Sequence, residues 1–204
     1  VMKITPSTGA IAGTYAVADG PGGLAFDGTN IWVANRHSNN VTKLSLKGAI
    51  LGTFAVGKRP MGLAFAAGSI WVANNKGNSV TRLSTVGQVL GTYEAGDGPF
   101  GVASDAESIY VTNYFGQSIT KLRASDGFNL GTFKAGDGAA GIAFDGKNLW
   151  VANNGDSNVM KLGPDGSVIA TYITGKGPFG VVFDGSQVWV SNFASNSVSK
   201  TAAN

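Results

Sequence analysis

One short segment recurs along this chain and constrains its fold more than any other feature. It first reads Ile31-Trp32-Val33-Ala34-Asn35, and four further copies follow. Its aromatic residue returns at steps of 39, 39, 40 and 39 residues, as Trp32, Trp71, Tyr110, Trp150 and Trp189. A steady period between about 20 and 50 residues is typical of repeat architectures. The sequence therefore predicts one body built from similar units.

Each unit contains four apolar segments, strands A to D, separated by turn residues. In the first full unit they are residues 23–26, 30–35, 41–44 and 50–56. All are short and rich in β-branched and aromatic residues, as strands are. No window shows helical periodicity over about ten residues. We therefore predict an all-β chain with essentially no helix.

Four antiparallel strands in a unit of about 40 residues, arranged radially, describe a β-propeller. A β-solenoid, whose coils are usually shorter, is the alternative. Strand B is apolar on both faces, as expected for a blade packed between two others. We predict a single domain over residues 1–204, a five-bladed propeller of four-stranded blades, with repeats at 13–51, 52–90, 91–130, 131–169 and 170–204.

The two ends of the chain predict how the ring closes. Residues 1–4 resemble a C strand and residues 10–17 a D strand, whereas the last repeat supplies only A, B and C. We expect residues 1–12 to form a closing segment and the N-terminal D strand to complete the last blade. The surplus C strand leaves two alternatives open, an excerpt of a larger ring and a chain that swaps strands with a neighbour. A monomer is the expected state.

Composition excludes several classes of protein. Without cysteine there is no disulfide and no thiolate metal site. No apolar run reaches the 18 or more residues of a membrane helix. The net charge of +3 is not gathered into a basic patch, which makes a nucleic-acid partner unexpected. Six basic residues instead recur at one position of strand C, where we interpret them as covering apolar surface with their stems: Lys3, Lys43, Arg82, Lys121, Lys161 and Lys200.

Two sets of repeated polar residues fit turn chemistry better than a binding site. The aspartates between strands A and B mark tight turns, although a ring of acids could hold a hard cation. Ala66 replaces the acid in the second repeat, and Lys58 and Lys176 interrupt the acidic positions of the D–A loops. The asparagine that ends strand B is expected to bond the backbone of the following turn. The aspartates between strands A and B are Asp27, Asp105, Asp145 and Asp184. We predict no metal and no cofactor.

The repeats differ most in the D–A and B–C loops, which we expect on one face around the channel mouth. Binding residues are often carried on such loops. Bulky apolar residues there replace the small or polar ones of other repeats, which indicates a binding site; a plug over the channel mouth is the alternative. The predicted anchors are Phe100, Tyr114, Phe115, Phe179 and Phe193. Met61 shares the repeat position of Phe100, and the polar side consists of Arg36, Arg59 and Lys76.

The third copy of the segment, Tyr110-Val111-Thr112-Asn113, resembles the signature of the YVTN β-propeller repeats. Its siblings read Trp-Val-Ala-Asn or Trp-Val-Ser-Asn, followed by Val-x-Lys-Leu or close variants of it. The units are also similar to those of NHL-type propellers and of the propeller that carries virginiamycin B lyase. The resemblance implies a bacterial or archaeal protein that is secreted or periplasmic. Members of the family usually have six or seven blades, so five repeats depart from the pattern.

The resemblance also implies what an enzyme of this kind would need, namely histidine and acidic residues around a metal ion on one face. This chain has a single histidine, His37, in a loop where we interpret it as a solvated residue. We predict a non-enzymatic binding or scaffold module, with a protein, glycan or small ligand on the D–A/B–C loop face. The alternatives are a metal-assisted lyase or hydrolase relative, and an engineered or excised repeat array without its own ligand.

Overall fold

The computed structural model describes residues 1–203 and consists of antiparallel strands in six sheets. The first sheet is the N-terminal hairpin, β1 (Met2–Ile4) and β2 (Ile11–Thr14). Within the described residues the helical segments are two 3₁₀ turns, Asn75–Gly77 and Phe193–Ser195. Within the described residues, no helix is long and apolar enough to cross a membrane. The predicted all-β class is confirmed.

The other five sheets are blades whose strands follow one another in space as A, B, C and D. Blade 1 contains β3 (Pro21–Phe26), β4 (Asn30–Asn35), β5 (Asn40–Ser45) and β6 (Ile50–Ala55). Blade 2 contains β7 (Pro60–Ala66), β8 (Ser69–Asn74), β9 (Ser79–Ser84) and β10 (Val89–Glu94). Blade 3 contains β11 (Pro99–Ser104), β12 (Ser108–Asn113), β13 (Ser118–Arg123) and β14 (Asn129–Lys134). Blade 4 contains β15 (Ala139–Phe144), β16 (Leu149–Asn153), β17 (Asn158–Leu162) and β18 (Val168–Ile173). Blade 5 contains β19 (Pro178–Phe183), β20 (Gln187–Asn192) and β21 (Ser197–Ala202).

Consecutive blades pack face to face through strand B. Trp32 and Ala34 of blade 1 share one core cluster with Ile70 and Val72 of blade 2, and all four are fully buried. Equivalent clusters join blades 2 and 3, 3 and 4, and 4 and 5. Both faces of strand B are apolar because each inner blade is covered on both sides. We call the side that carries Trp32 the forward face of a blade.

The basic residue of strand C links each of blades 1 to 4 to the blade that follows. Lys43 Nζ donates a 2.7 Å hydrogen bond to the carbonyl of Thr85, in the C–D turn of blade 2. Lys161 Nζ makes the same contact with Ala203 at 2.6 Å. The set is completed by Lys3 to Leu46, Arg82 to Ser125 and Lys121 to Pro164. This position therefore supplies a hydrogen bond between blades in addition to the predicted contact with apolar surface, since Lys43 Nζ also lies 5.2 Å from the centre of the Trp32 ring.

The N-terminal hairpin lies beside blade 1. Lys3 Nζ bonds the Leu46 carbonyl, and the Tyr15 ring packs where Gly48 has no side chain. The hairpin thus occupies the place of the outer strands of a preceding blade. Strand β2 pairs with β1, and the described part of blade 5 has three strands, so the predicted closure by the N-terminal strand is not confirmed. Local pairing and the contacts with blade 1 hold the hairpin there.

The forward face of blade 5 is exposed. Trp189 is 37% exposed, whereas its four repeat equivalents are fully buried. Val198 is 62% exposed, whereas Val41 and Val80 are fully buried. The packing surface that joins the other blades is therefore formed here but left uncovered within residues 1–203.

Candidate functional site

The D–A and B–C loops lie together on one face, as predicted. The backbone N–H of Arg36, in a B–C loop, donates a 2.8 Å hydrogen bond to the Gly20 carbonyl in the D–A loop of the same blade. The other four blades repeat this bond, as Asn75 to Arg59, Tyr114 to Gly98, Asn154 to Gly138 and Phe193 to Gly177. Each pair of loops is thereby held as one unit beside the start of strand A.

A cavity of about 640 Å³ lies between the A strands of all five blades. The second residue of each A strand lines it or lies beside it: Gly22, Met61, Phe100, Ala140 and Phe179. The fourth residue of each A strand adds an aliphatic wall: Leu24, Leu63, Val102, Ile142 and Val181. We had placed Met61, Phe100 and Phe179 in loops, and the structure shows that they belong to strands. We call this cavity the axial pocket.

Four of the predicted anchors form one aromatic cluster. Phe100 and Phe179 line the axial pocket, whereas Tyr114 and Phe115 lie outside its lining. The rings of Phe100 and Phe179 meet edge to face with centroids 5.0 Å apart. Tyr114 lies 5.8 Å from Phe100 and 5.2 Å from Phe115. Phe100 and Phe179 belong to blades 3 and 5, and their rings can meet because blade 4 has the small Ala140 between them. Phe115 and Phe179 remain 62% and 41% exposed, so the cluster presents apolar surface to a ligand.

Phe193 stands apart from this cluster. Its side chain is 81% exposed and makes no ring–ring contact with the other anchors in the described chain. It lines a separate shallow cavity of about 410 Å³ beside Phe179. The structure thus joins four of the five predicted anchors.

Of the three predicted polar residues, one lines the axial pocket and two do not. Arg36 lines the axial pocket, and its side chain lies against Gly22. Arg59 and Lys76 do not line it. The backbone N–H of Arg59 bonds Asn39 Oδ1 at 2.8 Å, and Lys76 is exposed on a 3₁₀ turn. The sequence placed these two residues on the correct face, but the direction of their side chains depends on loop conformation.

His37 lies on the rim of the same face, paired with an acid. Its Nδ1 is 3.3 Å from Asp19 Oδ2, and both side chains are largely exposed. Neither residue lines the axial pocket. Over residues 1–203, no group of three His, Cys, Asp or Glu side chains is arranged to hold a metal ion.

The aspartates between strands A and B serve the turns, as predicted. Asp145 Oδ1 accepts hydrogen bonds from the backbone N–H groups of Lys147 and Asn148. Its second oxygen accepts a 2.7 Å bond from Trp150 Nε1, a role that we did not predict. Burial acts to raise the pKa of Asp145, but the bonds from Trp150 and the backbone outweigh it, and the pKa is lowered.

The asparagine that ends strand B has a different partner from the one we predicted. Asn35 Nδ2 donates to Thr42 Oγ1 at 2.9 Å and to Asn40 Oδ1 at 2.8 Å. Both acceptors are side chains at strand C, whereas we expected the backbone of the turn. The equivalent Asn74 and Asn113 make the same kind of contact. This residue therefore links strand B to strand C through its Nδ2 group.

No model of a known protein family matches this sequence, and no curated protein matches it either. Several solved structures, however, are similar to this chain. A catalytically inactive virginiamycin B lyase from Staphylococcus aureus with quinupristin superposes with a TM-score of 0.79 at 19% identity, over 90% of this chain and 67% of that one. Hydrazine synthase of Kuenenia stuttgartiensis gives 0.76 at 22% identity, over 89% and 58%. BamB from Moraxella catarrhalis gives 0.74 at 13% identity, over 98% and 65%.

The chain has the blade fold of these propellers. The resemblance to the virginiamycin B lyase type of propeller, made from the repeated segments, is confirmed for the fold. The chain spans between 58% and 67% of the three structures named above. At identities of 13% to 22% they share the architecture and carry no assignment of activity to this chain.

Proposed function

We propose that this chain is a non-enzymatic binding module whose axial pocket receives an apolar group of a small molecule, a glycan or a protein. The edge-to-face pair of Phe100 and Phe179 in the pocket wall carries this proposal. Concave apolar sites with a few polar groups are the usual form of ligand sites. The pocket volume of about 640 Å³ lies within the usual range for them, about 300–1,000 Å³.

The test uses N-phenyl-1-naphthylamine, a neutral apolar fluorophore whose emission rises in apolar surroundings. We expect saturable binding to the wild type and a loss of at least about fivefold in affinity for Phe179→Ala, since truncating this half-exposed ring removes apolar contact with the ligand. Two controls change exposed apolar residues elsewhere, Phe128→Ala and Val86→Ser, both in C–D turns. Equal binding by Phe179→Ala and the wild type would remove the pocket from the proposal.

A lyase activity is the second candidate, favoured by the fold shared with virginiamycin B lyase. The inactive form of that enzyme is a histidine-to-alanine variant, so a histidine matters there. In this chain the one histidine, His37, lies on the rim outside the axial pocket, which favours binding over catalysis. Incubation with quinupristin followed by reversed-phase chromatography separates the two: an unchanged retention time supports the binding module, and a new product peak that His37→Ala abolishes supports the lyase.

A closed five-bladed ring remains our proposal for the scaffold. Closure requires β2 to leave β1 and pair with β21, which would bring Thr14 opposite Ser199 by analogy with Thr53 opposite Thr42. In the hairpin, Thr14 lies opposite Met2. Because the chain has no cysteine, the pairs Thr14→Cys/Ser199→Cys and Met2→Cys/Thr14→Cys report the two states directly. Disulfide formation in the first pair supports closure, and formation in the second alone contradicts it.

We also propose that the protein works in the periplasm or outside the cell. The sequence resemblance supports this location, and a chain without cysteine has no thiols to be oxidised there. Immunodetection in periplasmic and culture fractions of the producing cell is the check, and detection in the cytoplasmic fraction alone would contradict the proposal.

A further inference from the structure

We infer that the axial pocket selects an anionic ligand, an aromatic carboxylate or sulfonate, through the guanidinium of Arg36. The inference rests on the proposed function, because it names the ligand chemistry of the same pocket. The apolar part of the ligand would lie on Phe100 and Phe179, and its acid group would bond Arg36.

Arg36 lines the pocket beside Gly22 of blade 1. At the second position of strand A, blades 2, 3 and 5 carry Met61, Phe100 and Phe179, but blade 1 carries Gly22. The stem of Arg36 lies beside Gly22, where an added Cβ would be in ordinary van der Waals contact with it at about 3.5 Å. The arginine thus replaces an apolar wall residue with a cation at this one point of the pocket.

Arg36 lacks the hydrogen bond that side chains at the same repeat position make in blades 2, 3 and 4. Asn75 and Asn154, its equivalents in blades 2 and 4, donate to the carbonyls of Pro99 and Pro178 in the next blade. In blade 3 the Tyr114 hydroxyl donates to Asn154 Oδ1 at 3.0 Å. Arg36 makes no such bond, and its Nε is buried without a partner in the described chain. A buried donor without an acceptor is unfavourable, so a ligand acceptor there would be favoured.

The charge of the pocket points to an anion. Arg36 is the one charged residue among the sixteen that line it, and no acid is among them. Asp19, on the nearby rim, is paired with His37. A guanidinium presents two parallel N–H donors that match the geometry of a carboxylate or sulfonate, and its attraction for an anion is stronger where apolar walls exclude water.

The experiment compares two fluorophores that differ in one group. N-phenyl-1-naphthylamine is neutral, and 8-anilino-1-naphthalenesulfonate adds a sulfonate to the same rings. We expect the wild type to bind the sulfonate about tenfold more tightly than the neutral compound, and Arg36→Gln to abolish that difference while retaining the neutral compound. Arg36→Lys should keep part of the preference, and Lys76→Gln, outside the pocket, should keep all of it.

The outcomes separate this inference from the proposed function. If both fluorophores bind through Phe179 and Arg36→Gln leaves their ratio unchanged, the pocket binds apolar groups but the anion preference is wrong. If Phe179→Ala affects neither fluorophore, the pocket itself is wrong. Circular dichroism of each variant confirms that it keeps the strand content of the wild type, so that lost binding reports the site.

Discussion

The indole nitrogen of Trp150 donates a 2.7 Å hydrogen bond to Oδ2 of Asp145, and both residues belong to the same A–B hairpin. Three other blades repeat the bond, as Trp32 to Asp27, Tyr110 to Asp105 and Trp189 to Asp184. Blade 2 lacks it. There Ala66 takes the place of the acid, and Nε1 of the fully buried Trp71 has no partner in the described chain. The repeats therefore offer matched sites that differ in one hydrogen bond.

The first prediction compares Trp150→Phe with Trp71→Phe. Both rings are fully buried, and each packs against a strand D tyrosine and a strand C cation. Both substitutions lose similar packing, but only Trp150→Phe also removes a bond to a carboxylate. We expect it to lower the free energy of unfolding by about 2 kcal/mol more than Trp71→Phe, measured by urea denaturation. Equal losses would mean that the indole–carboxylate bond contributes nothing.

The second prediction concerns acid stability. Because the pKa of Asp27 and Asp145 is lowered in the folded chain, their ionised forms stabilise the fold above the ordinary value of 3.8. That stabilisation is lost as the pH falls through the folded pKa. We expect the melting temperature to fall steeply below about pH 4, and Asp145→Asn to weaken this dependence, since an amide offers one acceptor and does not titrate.

At neutral pH, Asp145→Asn should also cost about 1–2 kcal/mol, because its NH₂ group faces the indole N–H. The control is Asp126→Asn, which removes an exposed ion pair with Arg123. That pair should contribute little, so the control should keep both the melting temperature and its pH slope. A steeper slope for Asp145→Asn than for the wild type would contradict the assigned direction.

The repeat pattern predicts strand B correctly, but its predicted range for strand A is too short. The prediction for the first strand B, 30–35, matches β4 (Asn30–Asn35), whereas strand A was expected from 23 and begins at Pro21. The two missed residues, Pro21 and Gly22, normally indicate a turn, but Pro21 pairs with Asn35 of strand B. The glycine that follows them, which was inside the predicted strand, serves close packing between blades. A Cβ at Gly62 would lie about 2.5 Å from the Phe100 carbonyl of the next blade. That approach between neighbouring A strands is a tertiary contact, which local composition does not report.

The candidate site was predictable only where repeats could be compared. Differences between equivalent positions identified Phe100, Tyr114, Phe115 and Phe179, which the fold brings together. The position of Arg36 beside Gly22 is a contact between two loop-face residues that no periodicity encodes. The aspartate–indole bond did leave a signal, the constant spacing of five residues between acid and aromatic. The location of the N-terminal hairpin left none, since the predicted pairing with blade 5 would use residues that here pair within the hairpin and pack on blade 1.

The third prediction tests the bond between blades made by strand C. In Lys43→Met the stem remains but the hydrogen bond to the Thr85 carbonyl is lost, which should lower the free energy of unfolding by about 1–2 kcal/mol. Lys200 is the matched control. It lies over the Trp189 ring at 5.0 Å but donates no hydrogen bond to residues 1–203, so Lys200→Met should change stability by less than about 0.5 kcal/mol. Similar losses in both variants would mean that the stabilisation comes from the ammonium group over the strand B ring, which both lysines share, and not from the hydrogen bond.

The fourth prediction separates backbone strain from packing between blades. Gly28 and Gly87 have φ angles of +90° and +89°, so an alanine is strained at either position. The space around them differs. A Cβ at Gly28 meets nothing within 4 Å, whereas at Gly87 it would overlap the ring of Phe54, the strand D aromatic of the preceding blade.

We therefore expect Gly28→Ala to lower the free energy of unfolding by about 1 kcal/mol and Gly87→Ala by about 3 kcal/mol. Urea denaturation of both variants measures the difference. The double variant Gly87→Ala/Phe54→Ala identifies its source: if the alanine and the ring collide, removing the ring makes Gly87→Ala cost no more than Gly28→Ala. If Gly87→Ala still lowers the free energy of unfolding by about 3 kcal/mol in that background, its cost comes from strain in the turn and not from the overlap with Phe54.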